Sequence, residues 1–327
     1  MRDAQSAAHI AVLTPGLLTT LQDNGRHGLR QLGVATGGAA DHWSHAVANL
    51  LVGNPADLAT LEITLTGPTL HFACATRIAL CGARIDAAID GRPVPGNRPL
   101  IVPAGSTLKL GSCRDGARSY LAVAGGFKLP AVMGSTSTDL RGGFGGIAGR
   151  ALKAGDILHL HEYAIARPDA LHVPSWWIDP RPSPPPVSAD GPCLIRLLPA
   201  ADNAEGLFAA TWQVDSRSNR QGLRLRGPQL QVDDPREHLS EPVAPGVVQL
   251  PGDGQPIALL ADAQTHGGYP RIGHVIRADL PLLAQLRPAA TLQFVPCTAE
   301  QACQAATEQR QRLYRMGQAI AARTLPA

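Results

Sequence analysis

The polar segment 19–28 contains residue types that could bind an anion or move a proton. It reads Thr-Thr-Leu-Gln-Asp-Asn-Gly-Arg-His-Gly and places Asp23 and Arg26 three residues apart. A guanidinium group stabilises negative charge on a ligand, and a carboxylate can act as a general base or contact a metal-bound phosphate. We therefore predict a catalytic role for Asp23 and a substrate-binding role for Arg26.

The glycine-rich segment 134–150 combines the same chemical groups with several glycines. Serine and threonine hydroxyls precede Asp139 and Arg141, and Gly142 and Gly143 follow them. The segment lacks the Gly-Lys-Ser/Thr end of a P-loop and the complete G-x-G-x-x-G fingerprint of a dinucleotide site. Arginine and backbone N–H groups could still hold an anion here. The alternative is a flexible loop without a ligand.

We predict catalytic roles for Asp139 and Arg141 and substrate contacts for Gly142 and Gly143. Three roles are open for Asp139 and for Asp23. Each could be the general base or a metal-phosphate contact, or could merely orient the arginine that follows it.

A helix is predicted to begin at Asp41, directly after a Gly-Gly turn. Asp41 can cap the helix 41–51, and the free N–H groups of its first turn could receive an anion. Asp41 is therefore a candidate substrate-binding residue. His42 and His45 would share one helix face, but the sequence offers no third metal ligand nearby, so we expect solvated histidines rather than a metal site.

The second half of the chain has its own polar loop, which follows an apolar strand predicted at 257–260. Neutral, aromatic and cationic side chains on a rigid scaffold suit a small planar polar ligand. The candidate substrate-binding residues of this half are Glu241, Gln264, Gly267, Gly268, Tyr269 and Arg271. The alternative is a tight Gly-Gly-Tyr-Pro turn in which the tyrosine only covers the core.

The composition excludes several classes of protein. The chain has 327 residues, of which 44% are hydrophobic, and this length suits two domains. Lys and Arg number 29 against 26 Asp and Glu, and 4% of residues are aromatic, so the basic excess and stacking residues of a nucleic-acid binder are missing. Serine-nucleophile and zinc-protease motifs are absent from the sequence, and three lysines leave few candidates for a lysine nucleophile.

Cysteine spacing and hydropathy predict the environment of the chain. The six cysteines form no C-x-x-C pair and no zinc-ligand spacing, so we expect reduced thiols and no metal site. The first residues contain no apolar run of signal-peptide length, and no segment approaches the roughly 18 apolar residues of a membrane helix. We expect a soluble, cytoplasmic protein with neither membrane nor nucleic-acid partners.

Most of the chain is predicted to be β-structure. Short alternating runs recur about every ten residues between Gly, Pro, Asp and Asn turns. Five such runs occur in the first half, at 78–80, 85–89, 100–102, 107–110 and 120–123. Helical periodicity predicts helices over 41–51, 280–286 and 298–322. The expected fold is mainly β, a sandwich or barrel with a few short helices and a C-terminal helix.

Prolines are dense between 167 and 199, where regular structure is difficult to sustain, and we place the domain boundary there. The predicted divisions are an N-terminal β-domain over 1–180, a C-terminal β-domain over 181–300 and a helical tail over 301–327. Segments 63–72 and 223–232 share an alternating strand and a Gly-Pro turn, which indicates two related β-domains in tandem. The alternative is chance recurrence of common turns.

Six motifs along the chain resemble one protein family. They are TTLQDNGR at 19–26, LLVGNP at 50–55, LEITLTGP at 61–68, LAVAGG at 121–126, STSTDLR at 135–141 and GGYPRIG at 267–273. Together they resemble the biotin-dependent carboxyltransferase family of the allophanate hydrolase subunit 2 type. The resemblance implies two tandem cyclophilin-like β-barrel domains, which agrees with the similarity of segments 63–72 and 223–232.

A stand-alone chain of this length resembles the C subunits of ATP-dependent 5-oxoprolinases within that family. The resemblance implies opening of the 5-oxoproline lactam to L-glutamate, together with subunits B and A and with ATP and Mg²⁺, which one of these partners could hold. ATP would phosphorylate the lactam carbonyl oxygen. Arg141, Arg26 or Arg271 would then match the developing negative charge.

Two other functions stay open. The first is biotin-dependent carboxyl transfer to a urea-like or amide substrate. No lysine is flanked by methionine on both sides, so we expect no covalently attached biotin in this chain, and carboxyl transfer would need a biotinylated partner. The second is a non-catalytic regulatory binding protein, which predicts tight complex formation and dispensable loop arginines.

Overall fold

The computed structural model describes most of the chain. The described residues are 8–163, 169–182, 191–200, 205–231 and 239–324. They divide into two compact units. Unit 1 contains the described residues within 1–25, 42–180 and 315–327, and unit 2 contains those within 26–41 and 181–314.

Unit 1 contains eleven described strands and one complete helix. The strands are β1 (His9–Thr14), β2 (Leu18–Gln22), β3 (Thr60–Thr64), β4 (Thr69–Phe72), β5 (Thr76–Gly82), β6 (Ile85–Ile89), β7 (Arg92–Pro93), β8 (Pro99–Val102), β9 (Thr107–Cys113), β10 (Arg118–Val123) and β11 (Ile157–His159), and the helix is α1 (His42–Val52). One sheet has the order β11-β1-β4-β9-β6-β7, and the other has the order β2-β3-β10-β5-β8. Neighbouring strands in both sheets run antiparallel.

Strand β3 shows how sequence alternation divides the faces of the second sheet. Leu61 and Ile63 point into the hydrophobic core of unit 1 together with Leu121 of β10. Because successive side chains alternate between faces, Thr60 and Glu62 point to the opposite face. Helix α1 packs against β5 and β10 of this sheet. Polar residues of β3 are therefore buried rather than solvated.

Unit 2 is built on a closed barrel. Its strands are β12 (Cys193–Pro199), β13 (Trp212–Val214), β14 (Gly222–Arg226), β15 (Glu241–Pro242), β16 (Val247–Gln249), β17 (Ile257–Leu259), β18 (His266–Gly267), β19 (Arg271–Val275) and β20 (Thr291–Pro296). The barrel order is β12-β19-β16-β17-β14-β13-β20, and β20 closes it by pairing parallel to β12. A separate two-stranded sheet joins β15 to β18. Leu197, Trp212 and Phe294 are among the side chains that fill the barrel.

The three predicted helices are confirmed. They correspond to α1, to α3 (Leu280–Gln285) and to α4 (Ala299–Thr324), and a further short helix, α2, spans Glu205–Ala209. None of the helices in the described residues combines the length and apolar character needed to cross a membrane. All six cysteines are free thiols.

The fold class is confirmed as mainly β. The similarity of segments 63–72 and 223–232 extends to the structure only in the first half of each segment. Strands β3 and β14 occupy corresponding positions before a Gly-Pro pair, and β4 follows that pair in unit 1. In unit 2 the residues after the pair form no strand, since Leu230 donates its backbone N–H to Gly254 instead. The last residue of the second segment, Val232, lies outside the described residues.

Candidate functional site

The carboxylate of Asp23 is the centre of a dense hydrogen-bond cluster in unit 1. Ser135 donates its hydroxyl over 2.6 Å and Ser137 over 2.5 Å, while Thr136 donates both its N–H (2.6 Å) and its hydroxyl (3.0 Å). The N–H of Gly25 adds a fifth bond of 2.7 Å. We call Asp23 and residues 135–137 the Asp23 cluster. It ties the loop after β2 to the start of the glycine-rich segment.

The surroundings of Asp23 keep its carboxylate ionised. Burial alone would raise the pKa of Asp23, but the hydrogen bonds from Ser135, Ser137 and the two backbone N–H groups outweigh burial and lower it. A carboxylate that accepts five hydrogen bonds has little basicity left for a substrate proton. This geometry favours a positioning role for Asp23. Its catalytic role stays a prediction.

Asp139 is bound mainly to its own loop. Its Oδ1 accepts the backbone N–H groups of Arg141 at 3.0 Å and Gly142 at 2.7 Å, and its carbonyl oxygen accepts the N–H of Gly143 at 2.9 Å. The two glycine N–H groups predicted to hold an anion are therefore engaged, and an anion would have to displace Asp139 to reach them. The side chain of Arg141 is exposed.

The glycine-rich loop is folded too tightly for larger residues at two positions. A Cβ atom on Gly149, which has φ +65°, would lie 1.9 Å from the backbone carbon of Gly143. A Cβ atom on Gly146, with φ +50°, would lie 2.0 Å from the hydroxyl of Thr138. Both glycines thus allow close approach and a left-handed backbone.

A buried polar layer beneath α1 was missed by the sequence analysis. Gln22 donates to Thr138 O at 3.1 Å, and Gln22 pairs in register with Thr60, whose hydroxyl lies 2.9 Å from His45 Nδ1. Three buried atoms in this chain of contacts, Gln22 Oε1, Thr138 Oγ1 and His45 Nε2, have no hydrogen-bond partner among the described residues. The signal was the repetition of polar residues at every second position of β3 (Thr60, Glu62 and Thr64), together with Thr20 and Gln22 of β2.

His45 corrects one expectation. The sequence favoured solvated histidines on α1, but His45 is fully buried because its face of the helix packs on the sheet. Burial lowers the pKa of His45 from 6.5 to about 4, although the nearby carboxylates of Asp23 and Glu62 oppose the shift. His45 is therefore neutral at neutral pH.

We expect His45 to make unit 1 less stable in acid. Because its folded pKa lies below its unfolded value, this stability is complete above about pH 6.5 and is lost as the pH falls toward about 4. The loss amounts to about 2 kcal/mol near pH 5. Urea unfolding of the wild type and of His45→Gln measures it, and the variant should lose the corresponding pH dependence. His161→Gln, at an exposed position of unit 1, is the matched control, and an equal flattening in both variants would contradict the assignment.

The polar loop of unit 2 brings together several predicted residues. Glu241 of β15 pairs with Gly267 of β18, and the Nε of Arg271 donates to Glu241 at 2.5 Å. Among the described residues, Glu241 alone bonds to this guanidinium, whose side chain is 49% exposed. The terminal nitrogen atoms of Arg271 are thus able to bind a ligand. Gly268 and Tyr269, between these residues, are both exposed.

Two glutamines lie against this loop. The Nε2 of Gln264 donates to Gln249 Oε1 at 3.3 Å, and the Nε2 of buried Gln249 donates to Tyr269 O at 3.4 Å. A Cβ atom on Gly267 would lie 2.4 Å from Gln249 Nε2, so a larger residue there would displace the end of the Gln249 side chain. Tyr269 is half exposed, which disfavours its alternative role as a cover for the core. Gln249 was not predicted, because it lies within an apolar strand.

Arg26 and Asp41 are buried in unit 2. The backbone N–H of Arg26 donates to Thr36 O, and the Asp41 carboxylate accepts the side-chain amide of Gln285 at 2.7 Å. In the same unit, Arg220 donates two hydrogen bonds to the Asp262 carboxylate, of 2.8 and 2.9 Å. Substrate contact by Arg26 or Asp41 stays a prediction, since neither side chain is at the surface.

Across the described residues, no three His, Cys, Asp or Glu side chains are grouped so that they could hold a metal ion. Apart from Arg26 and Asp41, the candidate residues fall into two sets, one in each unit. One is the Asp23 cluster with the 139–150 loop in unit 1. The other is the loop of Glu241, Gln264 and Arg271 in unit 2.

Comparison with known proteins finds relatives that match most of the chain. Residues 32–296 match the family model described as carboxyltransferase domain, subdomain A and B. The chain is 42% identical to the C subunit of 5-oxoprolinase from Escherichia coli, over 92% of this chain and 95% of that protein. It is 37% identical to the C subunit of 5-oxoprolinase from Haemophilus influenzae, over 86% and 89%.

A solved structure has the same fold. The crystal structure of urea amidolyase from Kluyveromyces lactis matches with a TM-score of 0.86 and 30% sequence identity. The match covers 97% of this chain and 20% of that much longer protein. The fold described above therefore occurs both in chains of similar length and as one part of a larger enzyme.

Proposed function

This chain belongs to the carboxyltransferase domain family of subdomains A and B, and from that premise we propose that it is the C subunit of an ATP-dependent 5-oxoprolinase. In this proposal it works with subunits B and A to open the 5-oxoproline lactam to L-glutamate. The observation that carries the proposal is 42% identity to the Escherichia coli C subunit along nearly the full length of both chains.

The unit 2 loop offers groups suited to this substrate. 5-Oxoproline has a carboxylate and a planar N–C=O group in a five-membered ring. The guanidinium of Arg271, held at Nε by Glu241, would bind the carboxylate through its terminal nitrogens. The amide of Gln264, oriented by Gln249, would bond to the lactam. These residues would orient the ring for attack at its carbonyl carbon.

Asp139 is the stronger candidate for the general base. Its Oδ1 is engaged by its own loop, while its Oδ2 accepts no hydrogen bond from the described residues. Both oxygens of Asp23, by contrast, are saturated by hydroxyl and N–H donors. Within the unit 1 loop, taken by itself, Asp139 would be the general base and Arg141 would stabilise developing negative charge.

ATP with Mg²⁺ belongs to the proposal at the level of the complex. Mg²⁺ is usually held by one or two carboxylates together with phosphate oxygens and water. The Asp23 carboxylate does not fit this role as it stands, because its oxygens already accept five hydrogen bonds. In the proposal, one of the partners binds the nucleotide.

The Arg271→Ala substitution should weaken substrate use by the assembled enzyme. Loss of a charge-assisted pair to the substrate carboxylate predicts a fall in kcat/KM of about tenfold or more, mainly through KM. Arg271→Lys keeps the positive charge but loses the two-pronged guanidinium group, so its kcat/KM should lie between those of the wild type and Arg271→Ala. Steady-state kinetics on varied 5-oxoproline measures the effect. Unchanged KM in Arg271→Ala would remove Arg271 from the substrate site.

Biotin-dependent carboxyl transfer is the second candidate, favoured by the structural match to urea amidolyase. Avidin separates the two functions, because it sequesters biotin. Glutamate formation from 5-oxoproline that resists avidin supports the lactamase proposal. Avidin-sensitive carboxylation of urea, with no glutamate formed from 5-oxoproline, would replace it with the second candidate.

A further inference from the structure

A cavity of about 340 Å³ lies on unit 2, apart from the loop of Glu241 and Arg271. Three arginines line it, together with an aspartate, a glutamine and a glycine. They are Arg217, Arg224, Arg226, Asp253, Gln255 and Gly227. We call it the arginine cavity. Its volume suits a small molecule rather than a folded protein.

Strand β14 explains why arginines gather on this surface. Its sequence alternates, and Leu223 and Leu225 are buried in the barrel core. Because side chains alternate between the faces of a strand, Arg224 and Arg226 lie on the outer face. Both are exposed. The pattern thus places two cations side by side outside the barrel.

A buried carboxylate fixes two of the three guanidinium groups. Asp215 accepts the Nε of Arg217 at 3.1 Å, its Nη2 at 3.0 Å and the Nε of Arg226 at 2.5 Å. The Asp215 side chain is 1% exposed, while those of Arg217 and Arg226 are 67% and 64% exposed. Both arginines are therefore held by a buried carboxylate while much of each side chain remains exposed to solvent. Groups held in place in this way lose less entropy when they bind a ligand.

The opposite side of the cavity is also held in place. Gln255 accepts the N–H of Gly227 at 2.9 Å and donates to Gly227 O at 3.2 Å. Asp253, the one carboxylate in the lining, accepts the N–H of Gln255 at 3.0 Å. One carboxylate oxygen of Asp253 is thus already engaged by the backbone of its own turn. Within the described residues, no carboxylate pairs with the guanidinium of Arg224.

We propose that the arginine cavity binds a small polyanion through its phosphate or carboxylate groups. Three guanidinium groups are balanced by two carboxylates, Asp253 in the lining and Asp215 beneath it, and guanidinium matches both oxyanions in shape and charge. Arg224 supplies the unpaired cation, while Arg217 and Arg226 supply the remaining N–H groups of their anchored forks. The site is independent of the proposed lactamase function.

Isothermal titration of the full chain with pyrophosphate and, separately, with citrate tests the proposal at constant ionic strength. Saturable binding of at least one of them is expected, and the one that binds identifies the oxyanion. Arg224→Ala should weaken that binding by about tenfold or more. The control is Arg84→Ala, which removes an exposed arginine of unit 1 that lies outside the cavity.

Three outcomes would overturn the site. They are no saturable binding of either anion, equal weakening by Arg224→Ala and Arg84→Ala, and binding that Arg224→Ala leaves unchanged. The second would indicate attraction by net charge alone. Arg224 is exposed on the outer face of β14, and an unchanged thermal unfolding curve without anion shows that the variant is folded.

Discussion

Asp23→Ala is expected to destabilise unit 1 by about 3 kcal/mol, because it leaves buried donors without an acceptor. The hydroxyls of Ser135 and Ser137 and the N–H of Thr136 all end on this carboxylate. Without it, the start of the glycine-rich segment loses its attachment to the loop after β2. We therefore also expect loss of catalytic activity in the assembled enzyme.

Urea unfolding of the isolated chain measures this effect. Asp57→Ala removes the same charge from an exposed position of unit 1 and should leave the free energy of unfolding nearly unchanged. Asp23→Asn keeps the shape but places an amide donor against hydroxyl and N–H donors, so it should also be destabilising. An Asp23→Ala protein as stable as Asp57→Ala would show that the cluster does not hold the two loops together.

Gly149→Ala should disrupt the glycine-rich loop by about 3 kcal/mol or more. The added Cβ would lie 1.9 Å from the backbone of Gly143 and 2.2 Å from that of Phe144, at a left-handed φ of +65°. Backbone atoms cannot move aside as a flexible side chain can. The loop around Asp139 and Arg141 must therefore shift, and activity that depends on its shape should be lost.

Gly134→Ala separates the clash from the strain of a positive φ. Gly134 has φ +77° in the same segment, but nothing lies within 4 Å of an added Cβ. It should cost only about 1 kcal/mol and retain activity. Thermal unfolding and steady-state kinetics of both variants give the comparison. Equal stability and activity in the two would contradict the close packing of Gly149.

Local patterns explain what could be predicted from the sequence. Helices α1, α3 and α4 follow from apolar periodicity, and α1 begins next to a predicted capping residue. Glu241 and Arg271 were predicted as candidate residues because both belong to polar segments, but their contact with each other was not predicted. Candidate residues near strand ends and turns can be predicted because the local sequence there is rich in polar residues and glycine.

Contacts distant in the sequence explain what could not be predicted. Ser135 and Asp23 are separated by 112 positions, and nothing in either segment specifies the pairing. The layer of Gln22, Thr60 and His45 was missed because polar residues were taken to face solvent. The parallel pairing of β20 with β12 likewise depends on the register of the whole barrel. Such features follow from the assembled fold rather than from any local pattern.

The most direct test of the central claim is glutamate formation from 5-oxoproline by this chain mixed with candidate subunits A and B. The proposal predicts glutamate only when this chain, both partners and ATP are present. Omitting the chain while keeping both partners and ATP is the decisive comparison. Glutamate formed equally fast without it would contradict the assignment of this chain to a 5-oxoprolinase.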